Sequence, residues 1–147
     1  MRRAIPAAIL TCLLGLALPA LAQEEAIMNQ IEQVQGDAEG FGEAFAKLQD
    51  GFLFDTAPEA VAELTAYPLD VMVDGNVITV SDADALIDNF DKLLTPDTQA
   101  AIAGQDFADL IITSEGVGFG NGVLWMANLC TDDACDETYW AITRINN

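Results

Sequence analysis

Spacing of the apolar residues divides this chain into helices first and strands last. Ile27, Ile31 and Val34 recur at intervals of four and three, the stripe of an amphipathic helix, and Gly36 interrupts it. After Asp37, which suits an N-cap, the stripe resumes as Phe41, Ala44, Phe45 and Leu48 and ends at Gly51. Gly40 and Gly42 each cost about 1 kcal/mol relative to Ala in a helix interior, so this region reads as two helices or one bent helix. Residues 52–55 read as a connector. Pro58 then suits the first turn of a helix carrying Val61 and Leu64, which Tyr67-Pro68 ends.

From there the period changes from helical to twofold. Leu69, Val71 and Val73 alternate with Asp70, Met72 and Asp74, a half-buried strand, and Asp74-Gly75-Asn76 turns it into a returning strand over residues 77–80. Ser81 is expected to cap the next helix, with Asp84 three residues on and Asp82 favourable at its positive end. Apolar positions 83, 86, 87, 90, 93 and 94 keep a helical period, and Thr95-Pro96 starts a further short helix closed by Gly104. A strand over residues 110–113 leads to a long hairpin over residues 116–145. This order predicts an α+β fold: a curved antiparallel sheet with the helices gathered on one face, and no parallel βαβ units.

The amino terminus follows another pattern. Arg2 and Arg3 precede an apolar run over residues 4–18, then Pro19 and the small-residue site Ala20-Leu21-Ala22, so residues 1–22 read as a signal peptide cleaved before Gln23. The run of about fifteen residues is too short for a comfortable span, and no second one follows, so no membrane span is expected in the mature chain. Lipidation at Cys12 lacks the small residues expected before it, and Arg2-Arg3 lacks the context of twin-arginine export. The expectation is a single domain over residues 23–147, with residues 23–36 either part of it or a separate N-terminal helix, in the periplasm or secreted by a bacterium.

Charge and composition narrow the chemistry. After cleavage, the bases are Lys47, Lys92 and Arg144, against all 24 acidic residues. Such a field repels nucleic acid and anionic lipid and attracts basic proteins. The chain contains no histidine, which removes the usual general base and the commonest nitrogen ligand for metals. Two mature cysteines are too few for a Cys-only zinc site. The acidic groups Asp82 with Asp84, and Asp132, Asp133 and Asp136, lack the twelve-residue calcium loop, so neither metal nor cofactor is expected.

Cys130 and Cys135 flank four residues at the expected hairpin end, and export favours a disulfide between them, contributing about 2 kcal/mol by loop closure. If they face each other, Trp125 lies opposite Trp140, Val123 opposite Ile142 and Asn121 opposite Arg144 on one face. Met126 then pairs with Tyr139, and Leu124 with Ala141, on the other. Gly116, Gly118, Gly120 and Gly122 alternate along the preceding stretch. No helix follows to make a phosphate loop, so they signal close backbone packing or a floor that leaves room for a ligand.

Tyr67-Pro68-Leu69 opening a hairpin, the amphipathic helix after it, Gly116-Val117, Gly120-Asn121-Gly122 and Trp125 before a final strand together resemble the bacterial exported branch of the nuclear transport factor 2-like superfamily, over residues 37–147. The resemblance implies a cone in which the curved sheet wraps the N-terminal and central helices and leaves a cavity, and a homodimer formed through the sheet. Its members include isomerase-like and cyclase-like enzymes as well as non-catalytic binding modules, so the fold does not decide function.

Three functional expectations follow. The first is an exported, non-catalytic binding or accessory protein whose cavity, faced by Trp125, Trp140, Val123 and Ile142 with Asn121 and Arg144 as the polar end, takes a small apolar ligand. The second is an acidic protein that binds a basic protein partner. The third is a carboxylate-based isomerase or hydratase using Asp70 with Tyr67 or Tyr139. The missing histidine favours the non-enzymatic readings.

Overall fold

The computed structural model describes residues 18–147. The expected leader lies largely outside them, and its last residues, from Leu18 on, begin helix α1 (Leu18–Val34). Helices α2 (Ala38–Leu53) and α3 (Ala57–Glu63) follow, then strands β1 (Thr65–Val73) and β2 (Asn76–Val80). Helices α4 (Ala83–Asp88), α5 (Phe90–Leu93) and α6 (Pro96–Ala103) and a 3-10 turn at Phe107–Asp109 precede β3 (Ile111–Thr113), β4 (Gly116–Phe119), β5 (Leu124–Cys130) and β6 (Thr138–Asn146).

The fold is α+β, with one curved, unclosed sheet of six strands in the order β2-β1-β6-β5-β4-β3. Its pairings are antiparallel except that β1 and β6 run parallel. That exception follows from chain order: all of residues 74–137 intervene, enough to bring β6 back beside β1 in the same direction.

The core forms where the apolar periods meet. Ile31, Phe41 and Leu48 from α1 and α2 are fully buried against Leu69, Val71, Phe119, Leu124, Met126 and Ile142 of the sheet. Phe41 sits at the centre of an aromatic group, with ring centroids 4.9 Å from Trp140, 6.0 Å from Phe107 and 6.2 Å from Phe119. Val34, the last member of the first stripe, is exposed instead.

Local chemistry explains several boundaries. Asp37 caps α2, its carboxylate accepting from the Gly40 N–H at 3.0 Å. The Asp74-Gly75 pair takes positive φ at both positions and joins β1 to β2 with Val73 opposite Asn76, a two-residue hairpin turn. Asp82, not Ser81, caps α4, accepting from the Ala85 N–H at 2.9 Å while the Ser81 hydroxyl donates to its other oxygen. The single helix expected over residues 83–94 breaks at Asn89, whose side chain donates to the Ala85 carbonyl.

The expected register of the last hairpin is wrong. Trp125 lies opposite Arg144 and Asn128 opposite Trp140, while Met126 pairs with Ile142, Leu129 with Tyr139 and Cys130 with Thr138. Cys130 and Cys135 do lie at disulfide distance, with Cα atoms 4.7 Å apart. Cys135, however, sits in the loop before β6 with a left-handed φ of 57°. The bridge therefore staples the loop on itself, and the first cross-strand closure is the Thr131 N–H donating to the Glu137 carbonyl. A bulge between Trp125 and Met126 shifts the register once more.

The glycine-rich stretch is likewise not one strand. Residues 120–123 form a turn between β4 and β5, with Gly120, Asn121 and Gly122 all at positive φ. The room above Gly118 and Gly122 belongs to the chain's own Trp125: a Cβ at Gly118 would lie 3.1 Å from its ring and one at Gly122 3.4 Å. Close packing, not an open floor, explains these glycines.

Candidate functional site

Of the six residues expected to line one cavity, four are divided between the two faces of the sheet and two, Asn121 and Val123, lie in the β4–β5 turn. Trp140 and Ile142 belong to the helix-facing core, and the Trp140 indole donates to the Asp37 carbonyl at 2.9 Å. Trp125 lies between buried Leu124 and Met126 on β5 and so points the other way. Its indole donates to the Gly122 carbonyl at 3.0 Å, and the Arg144 guanidinium sits over its ring, 5.1 Å from the centroid. Arg144 also lies 3.8 Å from Glu115. Val123 packs against the core, whereas Asn121 is exposed in the turn.

The nominated carboxylate and tyrosines do not converge either. Asp70 is exposed and accepts from the Thr79 hydroxyl at 2.7 Å on the outer face of the β1–β2 hairpin. Tyr67 packs against the core, its hydroxyl donating to the Ala62 carbonyl at 3.0 Å, and burial pushes its phenol above the ordinary tyrosine range. Tyr139 is exposed on β6 beside Trp140. General-base chemistry needs a substrate held against the carboxylate, and Asp70 stands on an open strand surface.

A recess of about 540 Å³ lies instead between α2 and α3. It exists because the two helices approach closely at one point, where Gly51 meets Ala60; a Cβ on Gly51 would lie only 2.5 Å from that of Ala60. The sequence pattern marked Gly51 as the end of the helix, but α2 continues to Leu53 and uses the glycine as a contact. Beyond the crossing, Leu53 and Phe54 are left 72% and 68% exposed.

The walls of this recess are acidic. Glu43 and Asp50 on α2 and Glu59 and Glu63 on α3 line it, with Lys47 as the one cation among them and Phe54 at its end. Lys47 makes an ion pair with Glu63, both side chains remaining reachable by solvent. A second recess of about 290 Å³ adjoins it along α2, lined by Asp37, Leu64, Tyr139 and Trp140 and again by Glu43 and Lys47.

Of these lining residues, only Tyr139 and Trp140 were nominated as site residues from the sequence. The signal of the others was present as polar spacing. Glu39, Glu43, Lys47 and Asp50 recur at four, four and three on α2, and Glu59 and Glu63 at four on α3. A second signal was the apolar run Phe52-Leu53-Phe54 in what reads as a connector.

Among the described residues, no group of three or more Cys, Asp or Glu side chains is arranged to hold a metal ion, and no helix is long and apolar enough to cross a membrane. No protein-family model, curated protein or solved structure matches the chain.

Proposed function

We propose that this chain is an exported, non-catalytic binding protein whose acidic α2–α3 groove takes a basic protein partner. The observation that carries the reading is the groove itself, in which four carboxylates surround one ammonium and an exposed Phe54 closes the end. A cationic side chain entering it exchanges water for carboxylates, while Leu53 and Phe54 offer apolar surface that charge alone would not. The apolar-ligand reading loses its support because Trp125 and Trp140 lie on opposite faces of the sheet. Export is supported by the leader pattern and by a cysteine pair at disulfide distance, which suits an oxidising compartment.

Membership in the exported branch of the nuclear transport factor 2-like superfamily belongs to the same proposal, supported by a curved sheet backed by helices. So does pairing of two copies through the outer sheet face, where Met72, Val77 and Ile111 are exposed; sedimentation of a monomer at high concentration would remove it.

The binding claim is tested by titrating the mature chain with an oligolysine peptide in a calorimeter. Raising salt from about 0.1 M to about 1 M shortens the screening length from about 10 Å to about 3 Å, so binding should be measurable at the lower salt and lost at the higher. Absence of binding at low salt contradicts the proposal.

A further inference from the structure

The two recesses along α2 share Glu43 and Lys47, so they form one track on the outer side of that helix. Tyr139 stands at one end and Phe54 at the other, 46% and 68% exposed. From the cap at Asp37 to Phe54, the helix rises about 25 Å at 1.5 Å per residue, which an extended peptide covers in about eight residues at about 3.3 Å each.

Five carboxylates (Asp37, Glu43, Asp50, Glu59 and Glu63) border the track, and Lys47 is the only base on it among the described residues. Lys47 reaches across the middle and pairs with Glu63 on the opposite wall. An ammonium group is therefore already seated where the charge of the track would place one from outside.

We infer that the track binds an extended basic segment in which a cationic side chain displaces Lys47 from Glu63 while a neighbouring aromatic or apolar side chain packs on Phe54. Lys47 is thus a built-in competitor that weakens binding of every cationic segment alike, leaving the Phe54 contact to discriminate among them. Exchange of one cation for another leaves Glu63 paired before and after, and the pair is solvent-exposed, so the cost of displacement is that of a surface ion pair. Displaced, Lys47 has Glu43 on the preceding turn as its next partner, one helical step of four away.

The inference rests on the proposed function and separates from it in one experiment. The probe is an eight-residue Gly/Ser peptide carrying two lysines and one tryptophan, compared with the same peptide lacking the tryptophan, each titrated calorimetrically at low salt. Lys47→Met keeps the aliphatic stem and removes the competing charge, so affinity should rise about two- to fivefold, the range of an exposed ion pair. Lys47→Arg should leave it unchanged. Lys92→Met removes the same charge at a residue that lines neither recess and should change affinity by less than half as much. Thermal melts establish that each variant is folded.

Equal affinities for the wild type and Lys47→Met, or equal gains from Lys47→Met and Lys92→Met, would overturn the competitor role and leave the acidic groove standing as a binding site. Equal affinities for the peptides with and without tryptophan would overturn the Phe54 contact. Failure of every cationic peptide to bind would remove both this inference and the function beneath it.

Discussion

The acidic β5–β6 loop and the acidic α2–α3 groove carry similar charge on different shapes. The loop between β5 and β6 carries Asp132, Asp133, Asp136 and Glu137, all exposed, tied down by the Cys130–Cys135 pair and by Asp132, whose carboxylate accepts from the Ala134 and Cys135 N–H groups. It presents charge on a tight, solvated turn. The α2–α3 groove has similar charge but adds a recess, a resident ammonium and an exposed Phe54. Repelling like charges across a concave wall cost more than the same charges splayed into water, and a bound cation relieves them. Charge density is therefore a poor guide to function here, and concavity with adjoining apolar surface a better one.

The contrast can be broken from the structural side first. Gly51→Val forces a side chain into the space occupied by Ala60, and overpacking of this kind costs about 1–3 kcal/mol. Denaturant unfolding should show that loss together with weakened oligolysine binding, because the helices that form the walls must separate. Next in size, replacing Cys130 and Cys135 together with alanine should cost about 2 kcal/mol in the same assay and leave peptide affinity unaltered.

Charge reversals sharpen the comparison at the level of binding. Glu63→Lys in the groove should lower affinity for oligolysine about tenfold, equivalent to about 1.4 kcal/mol. Asp133→Lys in the loop makes the same change in net charge and should lower it about twofold or less, since it acts only through the screened general field. Comparable losses would mean that the peptide reads net charge and not the groove.

The smallest effect lies outside both regions and calibrates them. Asp82 is held below the ordinary carboxylate range by the Ser81 hydroxyl and then by the Ala85 N–H. Its contribution to stability is thus present above the unfolded value of about 3.9 and lost as pH falls through the lower folded value. Acid titration of Asp82→Ala should show a weaker dependence in that window than the wild type, the variant's loss of stability being present at neutral pH and vanishing below the window.

Much of the fold was legible because local signals and burial agreed. The Asp74-Gly75 turn allows one register for its hairpin, and Leu69 and Val71 point into the core as their alternation requires. The β5–β6 hairpin shows where such reading stops. Its cysteines constrain a loop, and nothing local distinguishes a bridge across two strands from one within the turn between them. Placing the bridge across the strands put Trp125 opposite Trp140, when Arg144 and Asn128 occupy those positions. The groove escaped for a related reason: Gly51 looks the same in sequence whether it ends a helix or admits a neighbour, and only the position of Ala60 decides. The polar stripe of α2 had the ordinary look of a solvated face until α3 was laid beside it.

Amide chemical shifts of labelled residues 23–147 during titration with oligolysine test the central claim most directly. The account predicts saturable changes centred on Glu43, Lys47, Asp50, Glu59 and Glu63, extending to Phe54. Changes centred on residues 131–137, or spread evenly over the acidic surface, would contradict it.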